Sequence, residues 1–160
     1  MIPENIEKLK TSQYLRFIDT TPTTENPTWK VVGIGVEELS TEYSPQVDTI
    51  KWIIEDTARN DHTSNQKQSS VSQKAYKNDP CFEFVNAGRD KLNYVTHILE
   101  VDTWNESNGS YTAKMSDGLI TVTSYSGEVV EYDLYFNGDA KEGTVTITGG
   151  VPVFTPTQSL

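Results

Sequence analysis

Apolar and polar positions alternate most regularly at Val130-Glu131-Tyr132-Asp133-Leu134-Tyr135-Phe136, where Val130, Tyr132, Leu134 and Phe136 share one parity against Glu131 and Asp133. A period of two belongs to a strand with one face in a core and the other acidic. Comparable segments recur from Tyr94 onward. They are Tyr94–Trp104, a turn at Asn105–Ser110, Tyr111–Ser116, Gly118–Tyr125, a turn at Ser126-Gly127, Glu128–Phe136, a turn at Asn137-Gly138-Asp139, Thr144–Thr148 and Val151–Phe154. Short strands punctuated in this way predict a sandwich or barrel. Upstream, Gln13–Asp19 and Trp29–Leu39 predict two further strands, the second loosened at Gly33 and Gly35, with a loop over Thr20–Pro27.

A three- to four-residue spacing appears once with good terminal signals. Asp79 precedes Pro80, Glu83 sits in the first turn, and Cys81, Phe82, Phe84, Val85 and Gly88 supply an apolar side. Aspartate caps a helix, proline suits its first position and an early carboxylate suits the dipole, so residues 79–91 predict one helix lying against a sheet.

Between these parts lies a polar stretch, residues 55–78. The run Thr49–Glu55 reads as a strand, and Ser69–Tyr76, with Val71 and Ala75 on one parity, reads as its returning partner. The connection over 56–68, with Thr57, Asn60, Asp61, Ser64 and Asn65 at its tip, then forms a long hairpin loop. Connections beyond about 12–15 residues are uncommon unless they bind something or are disordered. Residues 1–10 and 155–160 read as terminal arms. The expected fold class is mainly β with one flanking helix (α+β), a sandwich or barrel with a long hairpin loop, in one domain over 1–160.

Charge adds a constraint. The chain of 160 residues carries a formal net charge of −10, and from Leu92 onward 9 acidic and 2 basic residues give −7 of it. Binding to a phosphate backbone relies on clustered Lys and Arg, so this half is expected to repel nucleic acid. The one cysteine, Cys81, excludes an internal disulfide and a thiolate metal cluster, and its aromatic neighbours place it in the core. With no leader-like start and no apolar run near bilayer length, a soluble protein made in the cytosol with no membrane partner is expected.

Candidate chemistry is sparse. His62 and His97 accompany no nucleophile motif, Gly33-Ile34-Gly35 lacks the third glycine of a dinucleotide loop, and Asn105 and Asn108 head glycosylation patterns that read more simply as polar turns. The pairs Glu100 with Asp102 and Glu131 with Asp133 suit a hard divalent cation, yet no third ligand group accompanies them, and a solvated acidic face is the simpler reading. No catalytic residue, cofactor or metal is expected.

An ordered set of short motifs nevertheless resembles a family. Trp29-Lys30-Val31-Val32-Gly33-Ile34-Gly35-Val36 is followed by Glu42-Tyr43-Ser44-Pro45, Ala75-Tyr76-Lys77-Asn78-Asp79-Pro80 leads into Phe82-Glu83-Phe84, and Leu99-Glu100-Val101-Asp102-Thr103-Trp104 comes next. Asn137-Gly138-Asp139, Gly143-Thr144-Val145-Thr146-Ile147 and Val153-Phe154-Thr155 close the series. From about Tyr14 to Pro156 this resembles the major tail protein of long-tailed phages of Gram-positive bacteria.

The resemblance implies a virion protein, assembled in the host cytoplasm, whose hexameric rings stack into a hollow tail tube that phage DNA crosses during ejection. Its implied partners are further copies of itself, the tail tip, tape measure and tail terminator proteins, and DNA in transient, non-specific passage. It implies an inter-subunit hairpin loop, here carrying Thr57, Arg59, Asn60, Asp61, His62, Asn65 and Lys67. It also implies an inner wall, to which Glu131 and Asp133, followed by Glu100 and Asp102, are the acidic candidates. The alternatives are a carbohydrate- or receptor-binding accessory domain of a phage tail, with Trp29, Trp52 and Trp104 as stacking residues, and a metal-dependent hydrolase resting on the acidic pairs.

Overall fold

The computed structural model describes residues 4–157. After a short 3-10 turn at Thr11–Gln13 come β1 (Tyr14–Asp19), β2 (Trp29–Val31), β3 (Pro45–Ile50), β4 (Arg59–Asn65), β5 (Gln68–Lys74) and α1 (Pro80–Ala87). The long strands β6 (Tyr94–Ser107), β7 (Ser110–Tyr125) and β8 (Val129–Thr148) follow, then β9 (Val151–Pro156). One sheet runs in the order β2-β1-β6-β7-β8-β5, with β9 added to β8, while β3 and β4 pair only with each other. Residues 32–42 cross from the β1 side to β5, where Val36 bridges to Gln73 and Glu42 to Gln68. The sheet is thereby nearly closed and barrel-like.

Strand β8 organises this arrangement. Its first part, Val129–Tyr135, pairs with β5, and its last part, Gly143–Thr148, pairs with β9. Between them the register to β7 jumps from Asp117 opposite Asn137 to Met115 opposite Lys141, so that residues 138–140 of β8 face Ser116 alone, an excess of two. Gly138, at φ 73°, takes the left-handed conformation that such an irregularity demands. The expected turn at Asn137-Gly138-Asp139 is therefore a bulge within one continuous strand. Tyr111–Ser116 and Gly118–Tyr125 likewise merge into β7, and the turn expected over 105–110 contracts to Asn108 and Gly109, both at positive φ.

Two apolar clusters form on opposite faces of the sheet. Ile18, Ile98, Ile120, Val130, Tyr132, Leu134 and Phe136 fill the barrel side together with Cys81, Phe82 and Val85 of α1. Phe17, Trp29, Leu99, Val101, Ala113 and Val145 fill the other, with Phe154 of β9 packed against them. β1 and β6 thus contribute alternate residues to both. A buried polar chain crosses the first cluster: Tyr132 donates to Gln73 Oε1 at 2.9 Å, and Gln73 Nε2 donates to Asp79 Oδ2 at 2.8 Å and to the Ile34 carbonyl at 3.0 Å. It joins β8, β5, the helix cap and the crossing segment.

Four further boundaries differ from expectation. The strand predicted over Trp29–Leu39 ends at Val31, because the chain leaves β1 for β5, and a Cβ at Gly35 would stand 2.6 Å from the Lys74 carbonyl oxygen. The helix spans Pro80–Ala87 rather than 79–91; Asp79 is its cap, accepting from Cys81 N at 3.2 Å, and Gly88 ends it beneath the Tyr94 ring. Thr155 and Pro156, expected in a C-terminal arm, belong to β9, and the remainder of that arm from residue 158 and residues 1–3 of the N-terminal arm lie outside the described residues. Residues 4–10 are exposed and outside any strand or helix.

A Cβ on Gly143 would meet the Thr155 carbonyl oxygen at 2.3 Å, so Gly143→Ala should loosen β9 and speed amide hydrogen exchange over 151–156 while β1 to β7 stay protected. Burial raises the Asp79 carboxyl above 3.8, so its ionisation destabilises the fold progressively as pH climbs from there through the raised value. Asp79→Asn keeps a capping oxygen without that cost. Whatever the variant's offset in acid, urea titrations across this range should show it gaining on the parent protein as pH rises.

Candidate functional site

The most exposed ordered part of the chain is the β3–β4 hairpin, in which every strand residue is exposed. The reason lies in the sequence: Gln46-Val47-Asp48-Thr49 and Arg59–Asn65 have polar residues on both parities, so neither strand has a face to bury. Register runs from Pro45 opposite Asn65 to Ile50 opposite Arg59. At about 3.3 Å per residue the arm reaches roughly 20 Å beyond its root.

The tip, residues 51–58, carries an unbroken apolar run, Trp52-Ile53-Ile54, where the arm has none. Trp52 is 53% exposed, Ile54 86% and Ile53 101%. Leaving such side chains in water forgoes about 1.5–3 kcal/mol each relative to full burial. The tip is also shaped: Glu55 N donates to Trp52 O at 3.0 Å, Arg59 Nε is held by both Glu55 carboxylate oxygens at 2.9 Å, and the Arg59 guanidinium lies 4.3 Å over the Trp52 ring. Trp52 is thereby fixed under a cation, with Ile53 and Ile54 at the apex.

The root is clamped. Gln66 N donates to Tyr43 O at 2.8 Å, and Glu42 and Gln68 exchange backbone bonds at 2.8 and 2.9 Å. Lys67 Nζ pairs with Glu100 Oε1 and lies 4.5 Å over the Phe136 ring. Tyr14 donates to Glu100 Oε2 at 2.7 Å. Behind them the fully buried Arg16 donates to Ser69 Oγ at 2.6 Å, to Tyr14 Oη at 2.9 Å and to Thr41 Oγ1. Its Nε alone has no partner among the described residues. Burial pushes the Tyr14 hydroxyl up to about 12, with Arg16 opposing and Glu100 adding to the rise, so this hydroxyl stays protonated and donating.

This geometry redistributes the residues singled out in sequence. The hairpin exists, but it is β3 with β4; β5 pairs with β8, so Thr49–Glu55 and Ser69–Tyr76 are not partners. The loop expected over 56–68 is mostly strand, with Arg59, Asn60, Asp61, His62 and Asn65 on β4, Thr57 on the tip and Lys67 half-buried at the root. Trp52, Ile53 and Ile54, expected in a strand, are the tip. The signal that marks them is an unbroken apolar run between segments with no apolar parity.

The two acidic pairs separate. Glu131 and Asp133 alternate with the buried Val130, Tyr132 and Leu134 and face outward; Asp133 accepts from Ser70 Oγ at 2.8 Å. Glu100 stands opposite Arg16 and Asp102 opposite Tyr14, on the barrel side. The pairs therefore lie on opposite faces of the sheet, and the charge of Glu100 is already met by Lys67.

Other candidates resolve as structure. Cys81 is buried, and burial pushes its thiol up to about 12. His97 Nδ1 lies 2.8 Å from Asp19 Oδ2, and Asp19 Oδ1 also accepts from the backbone N–H groups of Thr21 and Thr28, both at 2.9 Å, tying off the Thr20–Pro27 loop. Trp29 is core, while Trp104 is exposed. No three His, Cys, Asp or Glu gather into a metal-binding group among the described residues, and no helix there is long and apolar enough to cross a membrane.

Root and tip should respond oppositely to substitution. Glu100→Ala leaves Lys67 and the buried Arg16 without their carboxylate and should cost about 3 kcal/mol in urea unfolding. Trp52→Ser, Ile53→Ser and Ile54→Ser, made singly, should each stay within about 0.5 kcal/mol of the parent, because the tip touches no core. No family model matches this chain, and no curated protein matches it in sequence.

Proposed function

We propose that the chain is a self-assembling structural subunit, the major tube protein of a long-tailed phage, whose rings stack into a hollow tail. The observation that carries this reading is the arm: a fully exposed hairpin with an apolar apex, rooted in a barrel whose own core is complete without it. Such an arm gains nothing from its own chain, and its unburied tip has a use in contact with another. Contacts that do not close on themselves propagate into a filament, and joining strands of several copies into one wall removes exposed sheet edges. The motif series from Trp29 to Thr155 supports the same family.

If the sheet forms the wall of a channel, one face alone lines it. Glu131 and Asp133 are the pair with two carboxylates that no cation meets among the described residues, and the channel face is assigned to them. Repeated around a ring, they would keep a polyanion from adhering as it moves. Glu100, held by Lys67, serves the fold instead.

Negative-stain microscopy of concentrated protein is expected to show rings or hollow filaments. A variant in which residues 46–65 are replaced by a short turn should stay folded and monomeric by sedimentation, without tubes. Normal tubes from that variant would refute the role of the arm. The double variant Glu131→Lys, Asp133→Lys should still assemble but should bind DNA in a salt-dependent manner where the parent tubes do not.

A further inference from the structure

A groove of about 660 Å³ opens beside the root of the hairpin, lined by Leu15, Val31, Val32, Val36 and Leu39 and rimmed by Glu37 and Glu38. We infer that this groove receives the hairpin tip of a second copy of the chain, Ile53 and Ile54 entering it while Lys51 meets the acidic rim. The inference rests on the assembly reading above and supplies its contact.

Three observations single out this occupant. The tip cannot fill its own chain's groove: residues 36–40 lead directly into the root, where Glu42 and Tyr43 are bonded to Gln68 and Gln66, and pairing up to Ile50 and Arg59 holds the apex away from it. The groove's volume lies within the range of about 300–1,000 Å³ in which proteins enclose compact apolar groups. The charges are complementary. Lys51 is exposed on the tip and makes no ion pair among the described residues; Glu38 is exposed on the rim and makes none, and Glu37 has one loose partner, Lys74, at 3.4 Å.

The contact is heterologous, tip of one copy to groove of the next, so each copy keeps a free tip and a free groove. Shape is fixed before contact. Arg59, clamped by Glu55 over Trp52, holds the apex in one form, so little side-chain order remains to be lost when it docks.

The test mixes two single-cysteine variants, Ile53→Cys and Leu39→Cys, under mild oxidation, with Asn60→Cys, one residue pair short of the tip on the arm, as the control; Cys81 is buried and inert. A disulfide between positions 53 and 39, identified by mass spectrometry and in excess over 53–53 and 60–39 links, supports the docking. Charge reversal gives a second readout. Lys51→Glu should weaken self-association roughly tenfold or more, and adding Glu38→Lys should restore most of it.

Tubes in which position 53 links to no groove residue would overturn this contact and leave the tube reading standing. The 53–39 link in short oligomers that never form tubes would support the contact and sink the tube reading. A tip that associates with no second copy, whether it binds anionic phosphatidylserine vesicles or nothing, would overturn the inference.

Discussion

The structure depends on one strand serving two edges. β8 pairs with β5 along its first part and β9 along its last, and the bulge at residues 138–140 bends it between the two. Were β8 straight, β5 and β9 would be consecutive segments of one flat edge and the sheet would neither curl nor enclose anything. Bent, it lets Val130, Tyr132 and Leu134 enter one core and Val145 another. Because β1 and β6 feed alternate residues into both cores, the faces are coupled, and a register slip of one residue in either strand would exchange Ile18 for Phe17 and Ile98 for Leu99.

The Arg16 cluster makes the hairpin root rigid by different means. A buried guanidinium donates to three hydroxyls and to no carboxylate directly; its counter-charge, Glu100, is reached through Tyr14 and shared with Lys67. Buried polar groups of this kind add less to stability than apolar packing of equal volume, but they are selective about geometry. The clamp therefore holds the direction in which the arm leaves the barrel. A stiff root with a free tip is the mechanical requirement for reaching a neighbour at a fixed distance.

Much of this was legible in the chain, and the failures have physical causes. Alternation in Val130–Phe136 located the inward and outward residues of β8, and Asp79-Pro80 located the helix start, because both signals act within a few residues. The Asn137-Gly138 dipeptide reported a left-handed backbone position correctly, but a bulge and a turn use the same local conformation, and only the partner strand decides between them. The sequence misplaces the hairpin's partner because Ser69–Lys74 alternates as a strand without naming what it pairs with: pairing with β8 is a tertiary choice. Trp52-Ile53-Ile54 reads as strand since apolar runs usually find a core, and the polar flanks that deny it one lie on both sides rather than within it.

Those polar flanks also limit how an exposed hairpin can pair with other chains. β3 and β4 form a two-stranded ribbon with two free edges, the kind of surface that pairs indiscriminately with other chains. Asp48 on one strand, and Arg59, Asp61 and His62 on the other, place charged or polar side chains along these edges, and Pro45 begins the ribbon with a residue that cannot donate. An apolar stripe along the arm would let two arms zip together in any register. Along β3 the exposed apolar side chains are Val47 and Ile50, separated by Asp48 and Thr49 and on opposite parities, so no continuous stripe forms, and the unbroken apolar run lies at the apex. The polar composition that makes the segment look featureless in sequence is thus what sets its apolar tip apart.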